Sequence, residues 1–128
     1  MTKAALGFVN DVMESAKIPY EFMEFKSDIR SIPAYWVGSY AEEPTPNEDG
    51  MEKTQFILTG TGKENWSVLE QQKEKIKEIF PEIWGKTAIL DNGSGIAVFY
   101  ENAFPVPTGD EFLKRLQVNL VVKEWKVK

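Results

Sequence analysis

Between Phe112 and Lys126 apolar and polar residues alternate. Leu116, Val118, Leu120 and Val122 fall on one face, Arg115, Gln117, Asn119 and Lys123 on the other, and Val121 alone breaks the polar set. A period of two is the pattern of a half-buried strand. At about 3.3 Å per residue this one is long enough to cross a small domain. It predicts the spine of a sheet with one solvated face, and that face holds no evident chemistry.

The same reading extends along the chain. Leu6, Val9, Val12, Met13 and Ala16 recur at spacings of three and four opposite Asn10, Asp11 and Glu14, which predicts an amphipathic helix over 4–17. Pro19 stops it near Lys17, because the residue before a proline is pushed out of the helical region. Residues 20–25 alternate weakly and read as a short strand or an extended connector. Aromatic and β-branched residues make 34–41 and 54–60 strands, antiparallel to each other if the segment between them is a hairpin connection. That segment, 42–50, has two prolines, four acids and a glycine, and exceeds the two to five residues a hairpin needs.

Ser67 with Glu70 matches a capping box, and Leu69, Ile76, Ile79 and Phe80 share a face up to Pro81, so a second helix is expected across the sheet. A short strand at 87–90, a turn at Asp91-Asn92-Gly93, a mostly apolar strand at 96–102 and a Pro/Gly loop at 103–111 lead into the final strand. The expectation is one domain of α+β class, a mainly antiparallel sheet of about four strands with two helices packed on one face. A chain of 128 residues fits a single core of that size.

Composition narrows the chemistry. The chain has no cysteine and no histidine, which removes thiolate zinc sites, iron–sulfur clusters, His- or Cys-ligated haem, Ser-His-Asp triads and Cys-His nucleophiles. Acid–base work would fall to Asp, Glu, Lys or Tyr. The expectation is a protein that is not an enzyme and uses no cofactor or metal. A net charge of −5 argues against affinity for nucleic acid or an acidic membrane. Acidic residues interrupt the N-terminal stretch before it reaches signal-peptide length, and no run approaches the ~18 apolar residues of a membrane span; cytoplasmic synthesis and folding are expected.

Three local motifs read as ordinary structure. Gly60-Thr61-Gly62-Lys63 lacks the glycine and the Ser/Thr that a P-loop needs, since Ile57 and Glu64 occupy those places. An EF-hand loop opening at Asp91 would need a bidentate glutamate where Asn102 stands. Asn65-Trp66-Ser67 and Asn92-Gly93-Ser94 fit the glycosylation pattern without a secretory signal. Glu42, Glu43, Glu48 and Asp49 are the remaining cluster. A Pro-rich loop is a poor scaffold for paired carboxylates, so these acids read first as a solvated loop, and as the functional alternative they are candidates for a partner- or lumen-facing one. Of the four tryptophans, Trp84, beside Gly85 after a helix, and Trp125, on the polar side of the last strand, are the interface candidates.

AYWVGSYAEE before an acidic loop, then TQFILTGTG, the helix ending KIKEIFPEI, and NGSGIAVFYENAFPVPTGDEFLKRLQVNLVVKEW stand in order over about residues 30 to 125. This series resembles the small tail-completion proteins of long-tailed bacteriophages and prophages, the group that includes the tail terminators. Its most specific part is the closing alternating strand ending in the acidic–aromatic pair Glu124-Trp125. The resemblance implies a sheet backed by helices on one face, assembled as a self-associated ring, hexameric in expectation. Such a ring would sit on the tail tube protein and join it to the head connector, with DNA passing through unbound. It also implies assembly in the bacterial host cytoplasm and residence in the virion tail or neck. A monomeric or dimeric intracellular binding module and a carboxylate-dependent hydrolase are the alternatives from other classes.

Overall fold

The computed structural model describes residues 1–42, 50–63 and 66–126. The elements run α1 (Lys3–Ser15), β1 (Tyr20–Phe22), β2 (Ala34–Glu42), β3 (Met51–Lys63), α2 (Ser67–Ile79), β4 (Lys86–Ile89), β5 (Gly95–Pro105) and β6 (Leu113–Trp125). They build one six-stranded sheet in the order β1-β2-β3-β6-β5-β4. All pairs are antiparallel except β1 with β2, which is parallel. The α+β class and the two helices stand as expected. The sheet is larger than the four strands expected, because the weakly patterned 20–22 and 86–89 segments each add a short edge strand.

The final strand is central, as its alternation implied: β6 pairs along its whole length with β3 and along most of it with β5. Its even-numbered face, Leu116, Val118, Leu120 and Val122, joins Phe56 and Leu58 of β3, Ala34 and Trp36 of β2 and Ile96 and Val98 of β5 in the core. Ala5, Val9 and Met13 of α1 and Leu69 and Ile76 of α2 complete that core, so both helices lie on this one face.

Side-chain bonds fix the helices to the sheet. Thr2 caps α1 by accepting from Ala5 N at 3.1 Å. Its own Oγ1 and N donate to the carboxylate of Glu124, at 2.5 and 3.3 Å. That carboxylate is fully buried on the helix side of β6, and its charge stands at the positive end of the helix dipole. α1 ends as Lys17 turns left-handed at φ 58 ahead of Pro19. The indole N–H of buried Trp36 donates to Gln72 Oε1 of α2 at 2.8 Å, and Gly60 makes room for its ring: a Cβ there would lie 2.7 Å from three indole carbons.

The capping box at Ser67 does not form. Trp66 is the N-cap in αR conformation with no side-chain bond, which draws Ser67 into the first turn; the Glu70 carboxylate reaches Lys73 Nζ at 2.5 Å instead. The 91–95 stretch is the β4–β5 hairpin turn, with Gly93 at φ 86 and Leu90 N donating to Ser94 O at 2.8 Å. The loop expected at 103–111 is shorter, because β5 continues to Pro105. Glu101 is a bulge between the pairs Tyr100–Leu120 and Asn102–Asn119. One extra residue reverses the facing of the rest of the strand, so Ala103 turns to the helices and Phe104 to the opposite face.

Candidate interaction surface

Among the described residues no helix covers the odd-numbered face of β6. Register pairs give its rows: Ser39, Ile57, Asn119 and Asn102; then Ala41, Gln55, Val121 and Phe99; then Lys53, Lys123 and Ala97; and at the end Met51, Trp125, Gly95 and Ile89. The middle is polar and internally bonded. Gln117 Nε2 donates to Asn119 Oδ1 at 3.0 Å, and Asn119 Nδ2 donates to Asn102 Oδ1 at 2.8 Å. Asn119 is buried despite the open position, and the amide ladder satisfies it, as a buried amide requires.

Toward the Trp125 end the face becomes apolar with a cationic floor. The turn after α2 folds back over the sheet, and Gly85, at φ 70, lies so close to Phe99 that a Cβ would sit 2.7 Å from the ring. Between this turn and the sheet runs a groove of about 530 Å³, its apolar walls Ile83, Phe99, Val121 and the Tyr100 ring, its charges two lysines, Lys53 and Lys123, and two acids, Glu82 and Glu101. Lys123 Nζ stands 5.4 Å from the centroid of Phe99, and no carboxylate of the described residues comes within salt-bridge distance of it. Glu82 is already matched, with Lys77 Nζ at 2.8 Å; that hydrogen bond holds the Lys77 ammonium above its ordinary pKa. Burial pushes the Tyr100 phenol up, and the neighbouring Lys73 and Lys77 charges oppose the shift.

The two tryptophans singled out from sequence are at the surface. Trp84 is 81% exposed on the turn and Trp125 is 41% exposed at the end of β6. Ile83, beside Trp84 on the turn, and Ile89, in the end row with Trp125, are exposed to 79% and 78%. Glu42 ends β2, exposed, 2.5 Å from the Met1 amine, which also approaches Glu52 Oε1 at 3.0 Å. Glu43, Glu48 and Asp49 lie outside the described residues. Ile83, Phe99, Lys123 and Ile89 are not distinguished by pattern; Val121 is, as the lone apolar member of a polar set, and it is a wall of the groove. Among the described residues no three acids gather in a group able to hold a metal ion, and no helix is long and apolar enough to cross a membrane.

No protein-family model matches the chain, and no curated protein matches it by sequence. Twelve solved chains do match. One of them, which carries a sequence-record designation in place of a functional name, superposes with a TM-score of 0.73 at 12% identity, over 100% of this chain and 99% of that one. That likeness is of fold.

Proposed function

We propose that this protein is a structural virion-assembly component of a phage or prophage. In this reading it is a tail terminator or neck protein that closes into a ring on the tail tube and joins it to the head connector, with DNA passing through unbound. It assembles in the host cytoplasm and ends in the virion. The observation that carries the reading is the asymmetry of the two sheet faces. One is largely covered by α1 and α2, while the other ends in Trp125 and Ile89, with Ile83 and Trp84 on the turn after α2, all large apolar side chains left in water. Exposed apolar groups gathered in one region mark a surface that meets another protein, and the series of elements from β2 to β6 is the one that resembles tail-completion proteins. A closed ring uses two different, complementary patches on each copy, which suits a surface confined to one side of the domain.

The test is solution mass by light scattering across a hundredfold concentration range, with electron microscopy of the heaviest species. A ring near 88 kDa, about six copies of the 14.6 kDa chain, is expected. A chain that stays at 14.6 kDa throughout and forms no ring refutes self-assembly and leaves the monomeric binding module as the reading.

A further inference from the structure

The groove on the open face has a counterpart elsewhere on the same chain. The β5–β6 loop carries Asp110, Glu111 and Phe112 at its tip, all exposed, with Phe112 at 65%. The tip is tightly tied. Gly109 takes φ 74, Thr108 Oγ1 accepts from Asp110 N at 3.1 Å and donates to Leu113 O at 2.9 Å, and Phe112 N donates to Asp110 Oδ1 at 2.9 Å. Lys114, the adjacent cation, is turned onto the Glu111 carbonyl at 2.8 Å. An aromatic ring held in water by a preorganised loop loses little entropy on docking, and isolated large aromatics of this kind are the usual anchors of protein contacts.

We infer that the Asp110-Glu111-Phe112 tip of one copy seats in the groove of the next, with the Phe112 ring against Phe99, Val121 and Ile83 and the acids facing Lys123. This rests on the self-assembly proposed above and specifies its contact. Three observations select a second copy as occupant. The chemistry is complementary: an acidic–aromatic tip meets a mixed groove in which Phe99, Val121 and Ile83 supply apolar walls and Lys123 has no carboxylate partner among the described residues, while of the groove's own acids Glu82 is matched by Lys77 and Glu101 is exposed at the border. The groove of about 530 Å³ is several times larger than a phenylalanine side chain. The geometry also excludes self-docking, because the tip precedes Leu113 at one end of β6 and Val121 lies eight residues on, roughly 27 Å along the strand. A tip and a groove at different places on each copy make a head-to-tail contact, the kind that closes into a ring.

Two surface variants test this without touching the core: Glu111→Ala with Phe112→Ala at the tip, and Lys123→Glu in the groove. Each alone should weaken self-association by at least about tenfold in sedimentation equilibrium. An equimolar mixture should form dimers and stop there, because only one intact tip faces one intact groove. Since the chain has no cysteine, Phe112→Cys mixed with Val121→Cys should also give an oxidised dimer on a non-reducing gel, while Phe112→Cys mixed with Tyr40→Cys should not. If the wild type forms a ring and both variants associate with unchanged strength, or cross-linking at Val121 does not exceed that at Tyr40, this contact is wrong and the ring stands. If the wild type stays monomeric throughout, both fall together.

Discussion

Gly60→Ala is the sharpest probe of how the sheet holds α2. Gly60 does not have a positive φ, so its backbone accepts a side chain, and the whole effect is steric. A Cβ would lie 2.7 Å from three carbons of the Trp36 ring, which is fully buried and tied through its N–H to Gln72. The ring has two ways out: strain in place, at about 1–3 kcal/mol for overpacking, or a shift that loses the Gln72 bond, at about 1 kcal/mol more. Reduced unfolded-state entropy returns about 0.4–1 kcal/mol. A net loss of about 1–2.5 kcal/mol is expected. With an unfolding entropy of about 0.27 kcal/mol/K for 128 residues, Tm should fall by about 4–9 °C in differential scanning calorimetry. The same substitution in a Trp36→Leu background removes the ring atoms that clash, so the cost should drop below about 0.5 kcal/mol, and the difference is the coupling energy. An equal cost in both backgrounds, or a fall of less than about 2 °C in the wild type, refutes the steric reasoning.

The same contacts set three other outcomes. Thr2→Ala removes the α1 cap and leaves the buried Glu124 carboxylate without the Thr2 hydroxyl donor. A loss of about 2–4 kcal/mol is expected, relieved in part by Glu124→Gln in the same chain and read by urea denaturation. Lys126 and the Met1 amine hold the Glu52 carboxyl below its ordinary pKa of 4.5. A depressed folded-state pKa gives stability that is present above the unfolded value and lost as pH falls through the folded one. Thermal melts from pH 7 downward should therefore decline less steeply in Glu52→Gln than in the wild type once the pH passes below 4.5. Gly85→Ala forces a left-handed position onto a Cβ and drives it into Phe99; about 1–3 kcal/mol of destabilisation is expected, together with weaker self-association, because the turn carrying Ile83 is lifted from the groove.

Periodicity disclosed the elements that bury a whole face more fully than those that do not, although β4 was expected within one residue of its place, at 87–90 against Lys86–Ile89. β6 and α1 each commit one stripe of side chains to the core, so their patterns were legible almost to the residue; β3 was legible only in its middle, 54–60 of Met51–Lys63, because its polar and glycine-bearing ends carry little alternation. β1 and β4 are three and four residues long and sit at sheet edges, where burial imposes little alternation; the pattern over 20–25 does not separate strand from connector, and a strand count built on pattern comes out low. The Glu101 bulge was invisible for a related reason. The apolar run 96–100 has no alternation to lose, and the polar pair Glu101-Asn102 that follows reads as the end of the strand and not as an inserted residue, so nothing marks the point where Phe104 is turned to the open face. At α2 the residue types of a capping box were present, but Trp66 keeps helical angles, and the cap shifts by one position. Motif identity did not reveal the backbone angle that decides which residue is the cap.

The candidate surface obeys a different logic. A face that meets water need only be polar on average, whereas a face that meets a partner must carry apolar groups at places set by the partner, and such places have no reason to keep the period of the host strand. Val121 is that kind of exception on β6: every other member of its set from Arg115 to Lys123 is polar, and it stands opposite Phe99 in the floor of the groove. Phe112 is another, an aromatic residue exposed on a loop tied down by Thr108 and Asp110. Neither residue belongs to the buried core of its own copy. Val121 packs beside Phe99 within one copy, while the exposed Phe112 gains no such packing, and the proposed contact between copies would bring the two together from separate points of the surface.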